Sequence, residues 1–361
     1  MEIDLFQASN SKDFMKYQFC IRFNEIDVNS SATKAVVDCN AIFSANGYQD
    51  FTVVVPHNAD RKKYYVKLFK AILNFFFSVK SRSIVGIQYP LLSINNVFKY
   101  FMSTARLKSV KFFCVVHDIE SLRTGGKDQD KIQLEVNNLN CYDLLIVHNQ
   151  YMMNWLTSAG VTTPMVKLGL FDYLTDLKTE VTGLRHTIVY AGNLAKSTFI
   201  YAIPAMADFN FTVYGPGCDA GKLPNHVKWG GVFSPDEVVA KMEGGFGLIW
   251  DGSETDRCDE ILGNYLYYNN PHKASLYLAA GLPLIAPEGT AIGKFILQEG
   301  IGFVVKSLHD LQAIKLDESQ YQGFKINVNR IQQKVSNGYF FNEAIHRTEQ
   351  TLDYRMGRKA S

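Results

Sequence analysis

The chain has 361 residues, of which 37 are basic and 35 acidic, for a formal net charge of +2 with neutral histidines. That length accommodates two domains of ordinary size, each able to bury its own core, and the near-balance of charge gives no reason to expect nucleic acid as a partner. The six cysteines are widely spaced with no C-x-x-C pair, no long uninterrupted apolar stretch occurs, and the amino terminus MEIDLFQASNSKDF has no basic segment leading into an apolar one, so a reducing cytoplasm is the expected setting, without secretion or membrane spanning.

Apolar runs that read as strands fall at 19–23, 51–55, 84–89, 112–117 and 144–148. Helical periodicity separates them, at 31–46, 61–80, 94–106, 129–140 and 150–159. Such alternation predicts a parallel sheet covered on both faces. The stretch 169–185 has weak periodicity and reads as a crossing between domains. The pattern then restarts, with strands at 186–191, 211–214, 227–229, 246–250 and 283–286. From about 315 onward charged and apolar positions alternate over several helical turns, and Gly338-Tyr339-Phe340-Phe341 interrupts them. The expected organisation is a first α/β domain over 1–170, a second over 171–320, and terminal helices over 321–361 that return to the first. Open parallel sheets bind ligands outside the carboxyl ends of their strands, so two such sheets face each other across one cleft lined by those loops.

The segment Arg61 to Arg82 holds seven basic residues and no acidic ones. Val66, Phe69, Leu73 and Phe76 form an apolar stripe, and Lys63, Lys67 and Lys70 a basic one. Two readings stay open: a helix lying in an anionic bilayer interface, or one packing its phenylalanines on the sheet.

Residues 246–288 carry the densest chemistry. An apolar strand ends at the turn Asp251-Gly252, and after a polar, aromatic loop Asn270-Pro271-His272-Lys273 opens a helix that Gly281-Leu282-Pro283 stops. A lysine at a helix amino terminus opposes the macrodipole unless an anion is present, and the unpaired N–H groups there favour one. Lys273 is thus either a solvated lysine or one side of a diphosphate site. Gly192-Asn193 ends a strand ahead of Lys196, where small residues let backbone N–H groups approach a phosphate or merely reverse the chain. His117-Asp118 closes a buried strand with two titratable side chains, either suited to general-base chemistry or to a plain strand-end turn. Asn29-Ser30-Ser31 borders the next helix, first as an N-cap. Asp128-Gln129-Asp130 stands at a helix start, where acidic residues favour the dipole, and reads as capping rather than as a metal site. The eight histidines form no H-x-x-x-H pair, so no metal is expected.

The segments VVHDIESLR (115–123), VYAGNL (189–194), GGFGLIWDG (244–252), NNPHKASLYLAAGLPLIAPEG (269–289) and GIGFVV (300–305) resemble, in order, bacterial β-1,6-galactofuranosyltransferases of polysaccharide assembly. More loosely, they resemble the glucosyltransferases that extend glycans on serine-rich-repeat adhesins. The resemblance implies a GT-B fold of two Rossmann-like domains, a UDP-hexose donor and inversion at the anomeric carbon; no cofactor is expected beside that donor. It makes Gly192, Asn193 and Lys196 donor contacts, sets Tyr214 beside the uracil or ribose, and sets Asp251, Gly252, His272 and Lys273 at the departing UDP. By fold analogy Glu288 meets the ribose hydroxyls. Asp118 becomes the base, with His117 as its competitor, and Arg123 and Ser30 flank the acceptor. The implied partners are a UDP-hexose, most simply UDP-galactofuranose, and a glycan acceptor of the lipid-linked kind at the inner face of the membrane; a homo-oligomer stays open. UDP-glucose is the alternative donor, and a non-catalytic nucleotide-sugar binder the alternative class. A Rossmann oxidoreductase is disfavoured because FNEIDVNSSATK, not G-x-G-x-x-G, follows the first strand.

Overall fold

The computed structural model describes residues 14–23, 31–55, 61–90, 95–177, 186–206, 208–258 and 260–357. Six strands, β1 (Lys16–Phe23), β2 (Gln49–Val55), β3 (Ile84–Tyr89), β4 (Lys111–Val116), β5 (Leu144–Val147) and β6 (Met165–Lys167), form one sheet in the order β2-β1-β3-β4-β5-β6. Every pairing is parallel. Period-two alternation sends Phe112, Cys114, Leu145 and Val147 to one face and Phe113, Val115, Leu144 and Ile146 to the other, so both faces need a cover. Helices α2 (Arg61–Ser78), α3 (Asn95–Ala105), α5 (Gln129–Leu139) and α6 (Gln150–Ala159) cover the first face; α1 (Ser31–Ala45) lies on the second. The four-residue α4 (Glu120–Arg123) follows β4.

The second sheet joins β7 (Thr187–Ala191), β8 (Asn210–Tyr214), β9 (Val227–Gly231), β10 (Phe246–Leu248), β11 (Leu284–Pro287) and β12 (Gly302–Val305) in the order β12-β11-β10-β7-β8-β9. Its pairings are parallel too. This is the doubly wound order, with the switch point between β7 and β10. Its helices are α7 (Pro235–Lys241), α8 (Ile261–Tyr265), α9 (His272–Ala279) and α10 (Ala291–Glu299). The sequence reading omitted two edge strands: β6 has three residues, none buried, and β12 opens on a glycine at φ 152°.

The terminal helices divide between the lobes. In α11 (Glu318–Ser336), Tyr321, Val328, Ile331 and Val335 join the second core, and the Tyr321 hydroxyl donates to the Gly245 carbonyl at 3.1 Å. Gly338, at φ 76°, breaks the helix, and α12 (Tyr339–Gly357) crosses back to the open face of the first sheet. There Phe341, Ala344, Ile345 and Leu352 pack with Phe43 and Phe113. Lys16 pairs with Glu349 at 2.8 Å, and Tyr48 donates to the same carboxylate at 2.9 Å. The first domain's core is therefore completed by the far end of the chain.

Candidate functional site

The loops at the carboxyl end of the second sheet are shaped by glycine. Gly192 follows β7; its N–H donates to the Tyr214 carbonyl at 3.0 Å. A Cβ on Gly215, at φ 133°, would stand 1.9 Å from the Gly192 carbonyl oxygen, so the turns after β7 and β8 approach as closely as backbones can. The exposed Asn193 accepts the Ala195 N–H at 3.1 Å and holds the turn, and Lys196 stands exposed beside it. Gly252, at φ 110°, leaves room for Glu260, which accepts from the N–H and hydroxyl of Ser253 at 2.8 and 2.7 Å. Its left-handed backbone and the Glu260 carboxylate beside it account for a glycine at that position.

Lys273 lies on the first turn of α9, and the anion that its position calls for is Asp251, at 2.7 Å. Its ammonium also donates to the Tyr190 hydroxyl at 3.1 Å and the Trp250 carbonyl at 3.2 Å, which occupies all three of its protons. Burial alone would lower its pKa; Asp251, with the Tyr190 and Tyr277 hydroxyls, reverses that and holds it above the usual lysine range. Tyr277 in turn accepts the Ala191 N–H at 2.8 Å. One polar cluster thus ties together the end of β7, the end of β10 and the start of α9, which are the three elements at the switch point.

On the first lobe, β4 is followed directly by His117 and Asp118. Glu135 on α5 is buried and accepts the N–H groups of Glu120 and Ser121 at 3.0 and 2.9 Å and the Tyr89 hydroxyl at 2.9 Å, so the loop after Asp118 is pinned. The Asp118 side chain is 36% exposed and lies 3.8 Å from Arg123, which also pairs with Glu120 at 3.1 Å. Burial raises the Asp118 pKa, and Arg123 and a hydrogen bond from Tyr265 partly offset this. Tyr265 comes from α8 in the second half of the chain but is buried in the first domain's core, and its hydroxyl also accepts the Ile119 N–H at 3.1 Å. No motif announced this residue; the only signal was the aromatic density of Tyr265-Leu266-Tyr267-Tyr268.

His117 is turned away from such a role. Its ring stacks on Phe171 at 4.7 Å, its Nε2 meets Gln88 at 2.6 Å, and burial brings its pKa down to about 3. Beside it His148 uses Nε2 on the carbonyls of Val116 and His117, at 3.1 and 3.0 Å, and accepts the Asn270 N–H at Nδ1 at 3.1 Å. The Asn270 side chain is shared between Asn149, at 3.0 Å, and the Gly169 carbonyl, at 2.6 Å. Sequence reading missed both asparagines as the clasp between the lobes.

Two expected donor contacts face inward instead. The Tyr214 ring is buried against Gly230 and its hydroxyl donates to the Lys241 carbonyl at 2.9 Å, so it belongs to the core rather than to a nucleoside surface. His272 stacks on Tyr173 at 5.1 Å and turns Nε2 to the Asp172 carbonyl at 3.3 Å, placing it in the junction rather than at a phosphate. Glu288 is exposed after β11, 3.9 Å from Lys306. Ser30 lies outside the described residues. Asp128 caps α5 as expected, accepting the Lys131 N–H at 3.1 Å. Among the described residues no group of three His, Cys, Asp or Glu is placed to hold a metal ion.

The geometry can be set against known proteins. Residues 18–170 match the family described as Glucosyltransferase 3-like, N-terminal domain, and residues 188–348 match Glucosyltransferase 3-like, C-terminal domain. The chain is 28% identical over 343 residues to the beta-1,6-galactofuranosyltransferase WbbI of Escherichia coli (strain K12), covering 92% of this chain and 97% of that one. Among solved structures it is similar to an alpha,alpha-trehalose 6-phosphate synthase from Burkholderia multivorans, with TM-score 0.60, 9% identity, and 97% and 99% of the two chains covered. It is also similar to a chain of the GtfA/B complex, with TM-score 0.52, 12% identity, 79% of this chain and 60% of that one covered. With both halves matched in order, and two parallel doubly wound sheets joined at their carboxyl ends, the chain belongs to the glucosyltransferase 3-like family and is a glycosyltransferase of GT-B fold.

Proposed function

We propose that this chain transfers a hexose, galactofuranose first, from a UDP-sugar to a hydroxyl of a polysaccharide intermediate, with inversion and without a metal. The observation that carries the reading is a partly exposed, pKa-raised Asp118 on one lobe, held by Tyr265 from the other half of the chain, together with the Lys273–Asp251–Tyr190 cluster at the switch point of the second sheet. The donor diphosphate lies at the Gly192 turn and the amino terminus of α9, where backbone N–H groups meet it, and Lys273, already paired with Asp251, holds together the strand ends that frame it. Asp118 takes the proton of the acceptor hydroxyl as its oxygen forms the bond to the anomeric carbon. The bond from that carbon to the diphosphate breaks on the opposite side, and its electron pair leaves with UDP. Preorganised N–H dipoles at the diphosphate lower the barrier because they need no rearrangement as the leaving group gains charge. Tyr265 sets the orientation of Asp118 and, through its hydrogen bond, moderates its basicity. Support for galactofuranose is the likeness to WbbI; the family description favours glucose as the second reading. Incubation with a panel of UDP-sugars and a polysaccharide acceptor, with UDP release and the configuration of the product measured, tests both. Faster release from UDP-glucose than from UDP-galactofuranose would replace the first donor with the second, and retention of configuration would defeat the single displacement.

A further inference from the structure

Helix α2 has two apolar faces, and among the described residues only one of them is buried. Leu68, Ile72, Phe75 and Val79 are buried on the first sheet, where Phe75 packs against Phe19 at 5.2 Å and Phe101 at 5.3 Å. Val66, Phe69, Leu73 and Phe77, spaced i, i+3, i+7 and i+11, form a second stripe that is 54%, 56%, 40% and 76% exposed. The stripe expected from sequence included Phe76, but that ring turns inward against Phe101 at 6.1 Å and lies under the Lys108 ammonium at 4.4 Å. Helix α3 and the following turn Arg106–Lys108 lie beside α2, and they expose Tyr100 by 79% and Leu107 by 86%. Large apolar side chains grouped this way on one surface mark an interaction site more often than chance exposure.

Charge identifies what the surface meets. Between Asp60 and Asp118 the chain carries eleven basic residues and no acidic one, although basic and acidic residues are nearly equal in number overall. Lys67, Lys70, Lys80, Arg82 and Arg106 are exposed on or beside the two helices. A protein partner with a matching apolar patch would not call for so one-sided a field, whereas an anionic bilayer surface attracts basic residues individually and accepts aromatic and aliphatic side chains at the boundary between headgroups and acyl chains. Among the described residues no helix is long and apolar enough to cross a membrane, so the contact is one of lying on the surface.

We infer that α2 and α3 form a docking face for anionic lipid bilayers, with Phe69, Leu73 and Phe77 inserted and Lys67 and Lys70 at the headgroups. The test is flotation of the purified full chain with vesicles of phosphatidylcholine alone or mixed with phosphatidylglycerol. Binding to the mixed vesicles is expected, with loss at about 0.5 M salt, where surface charge is screened within a few ångströms. The variants Lys67→Glu/Lys70→Glu and Phe69→Ser/Leu73→Ser/Phe77→Ser each lower the partition coefficient at least tenfold while leaving the circular dichroism melt unchanged, because every altered side chain is exposed. Phe77→Trp gives an independent readout, a blue shift of its added emission on mixed vesicles. Absence of flotation, equal partition into neutral vesicles, or no blue shift overturns the inference. So does a dimer that the serine variant dissociates in a chain that ignores vesicles, which would assign the stripe to a second copy.

Discussion

Acid loosens the junction between the lobes by an amount the structure allows one to work out. His148 accepts a backbone N–H at Nδ1 and so carries its single proton on Nε2, toward the Val116 and His117 carbonyls; a second proton would set two N–H groups against each other. Burial depresses the pKa of His117 to about 3 and those of His148 and His272 to about 4. In the unfolded chain each imidazole takes up a proton near its ordinary value, about 6.5. A depressed imidazole contributes stability that is complete above about pH 6.5 and is lost as the pH falls toward the folded value. Asp172, which accepts the Phe340 and Phe341 N–H groups at 3.1 and 2.7 Å, has the opposite sign: burial raises its pKa to about 7, so its contribution is present at low pH and lost as the pH rises through that value. Between about pH 6 and pH 5 unfolding therefore takes up a proton at each of three imidazoles and releases one from Asp172. The remainder, about two protons, lowers stability by roughly 2 to 3 kcal/mol per pH unit. Asp38 and Asp118, also raised by burial, trim the slope toward its acid end. Urea melts at constant ionic strength, followed by tryptophan fluorescence across this range, measure it. His148→Gln should reduce the slope by about one proton. A stability that is flat or rises between pH 6 and pH 5 would refute the reasoning.

Lys273→Met leaves Asp251 without its partner in a largely covered site; with some solvent reaching the carboxylate, the loss should be about 2 to 3 kcal/mol, and Asp251→Asn in the same chain should recover at least about 1 kcal/mol of it. Thermal melts and UDP calorimetry check this, and a melting temperature and UDP affinity both equal to the parent's would remove Lys273 from the site. Asp118→Asn should preserve UDP affinity while turnover falls by about 100- to 10,000-fold; turnover within a few-fold of the parent would transfer the base role elsewhere. Because the base must be ionised, activity should decline as pH drops through the raised Asp118 pKa, and Tyr265→Phe, which deletes a hydrogen bond that lowers that pKa, should move the acid limb of kcat/KM to higher pH. Gly215→Ala forces a Cβ to 1.9 Å from the Gly192 carbonyl oxygen, and denaturant melts should register at least about 3 kcal/mol of destabilisation.

Strand and helix alternation and the break at Gly338 were legible in the sequence because apolar period and glycine report local backbone geometry. The turns at Gly192 and Asp251 were legible for the same reason, since both follow buried strands. Long-range contacts were not. Lys273 looked like a cation in search of an anion, and only the fold shows that Asp251, 22 residues earlier, already meets it. Tyr265 reaches the Asp118 loop across 146 positions of chain, and nothing local marks it for that.

By itself the sequence determined two parallel α/β layers, their order, and which strand ends carry polar chemistry, all of which depend on spacing within about twenty residues. Only the tertiary structure decided that Tyr214 and His272 turn inward, that the last helix closes the first core, and that the outer stripe of α2 is exposed among the described residues. Which side of an element meets another depends on how distant segments close against one another, and periodicity within a segment is the same whichever neighbour arrives.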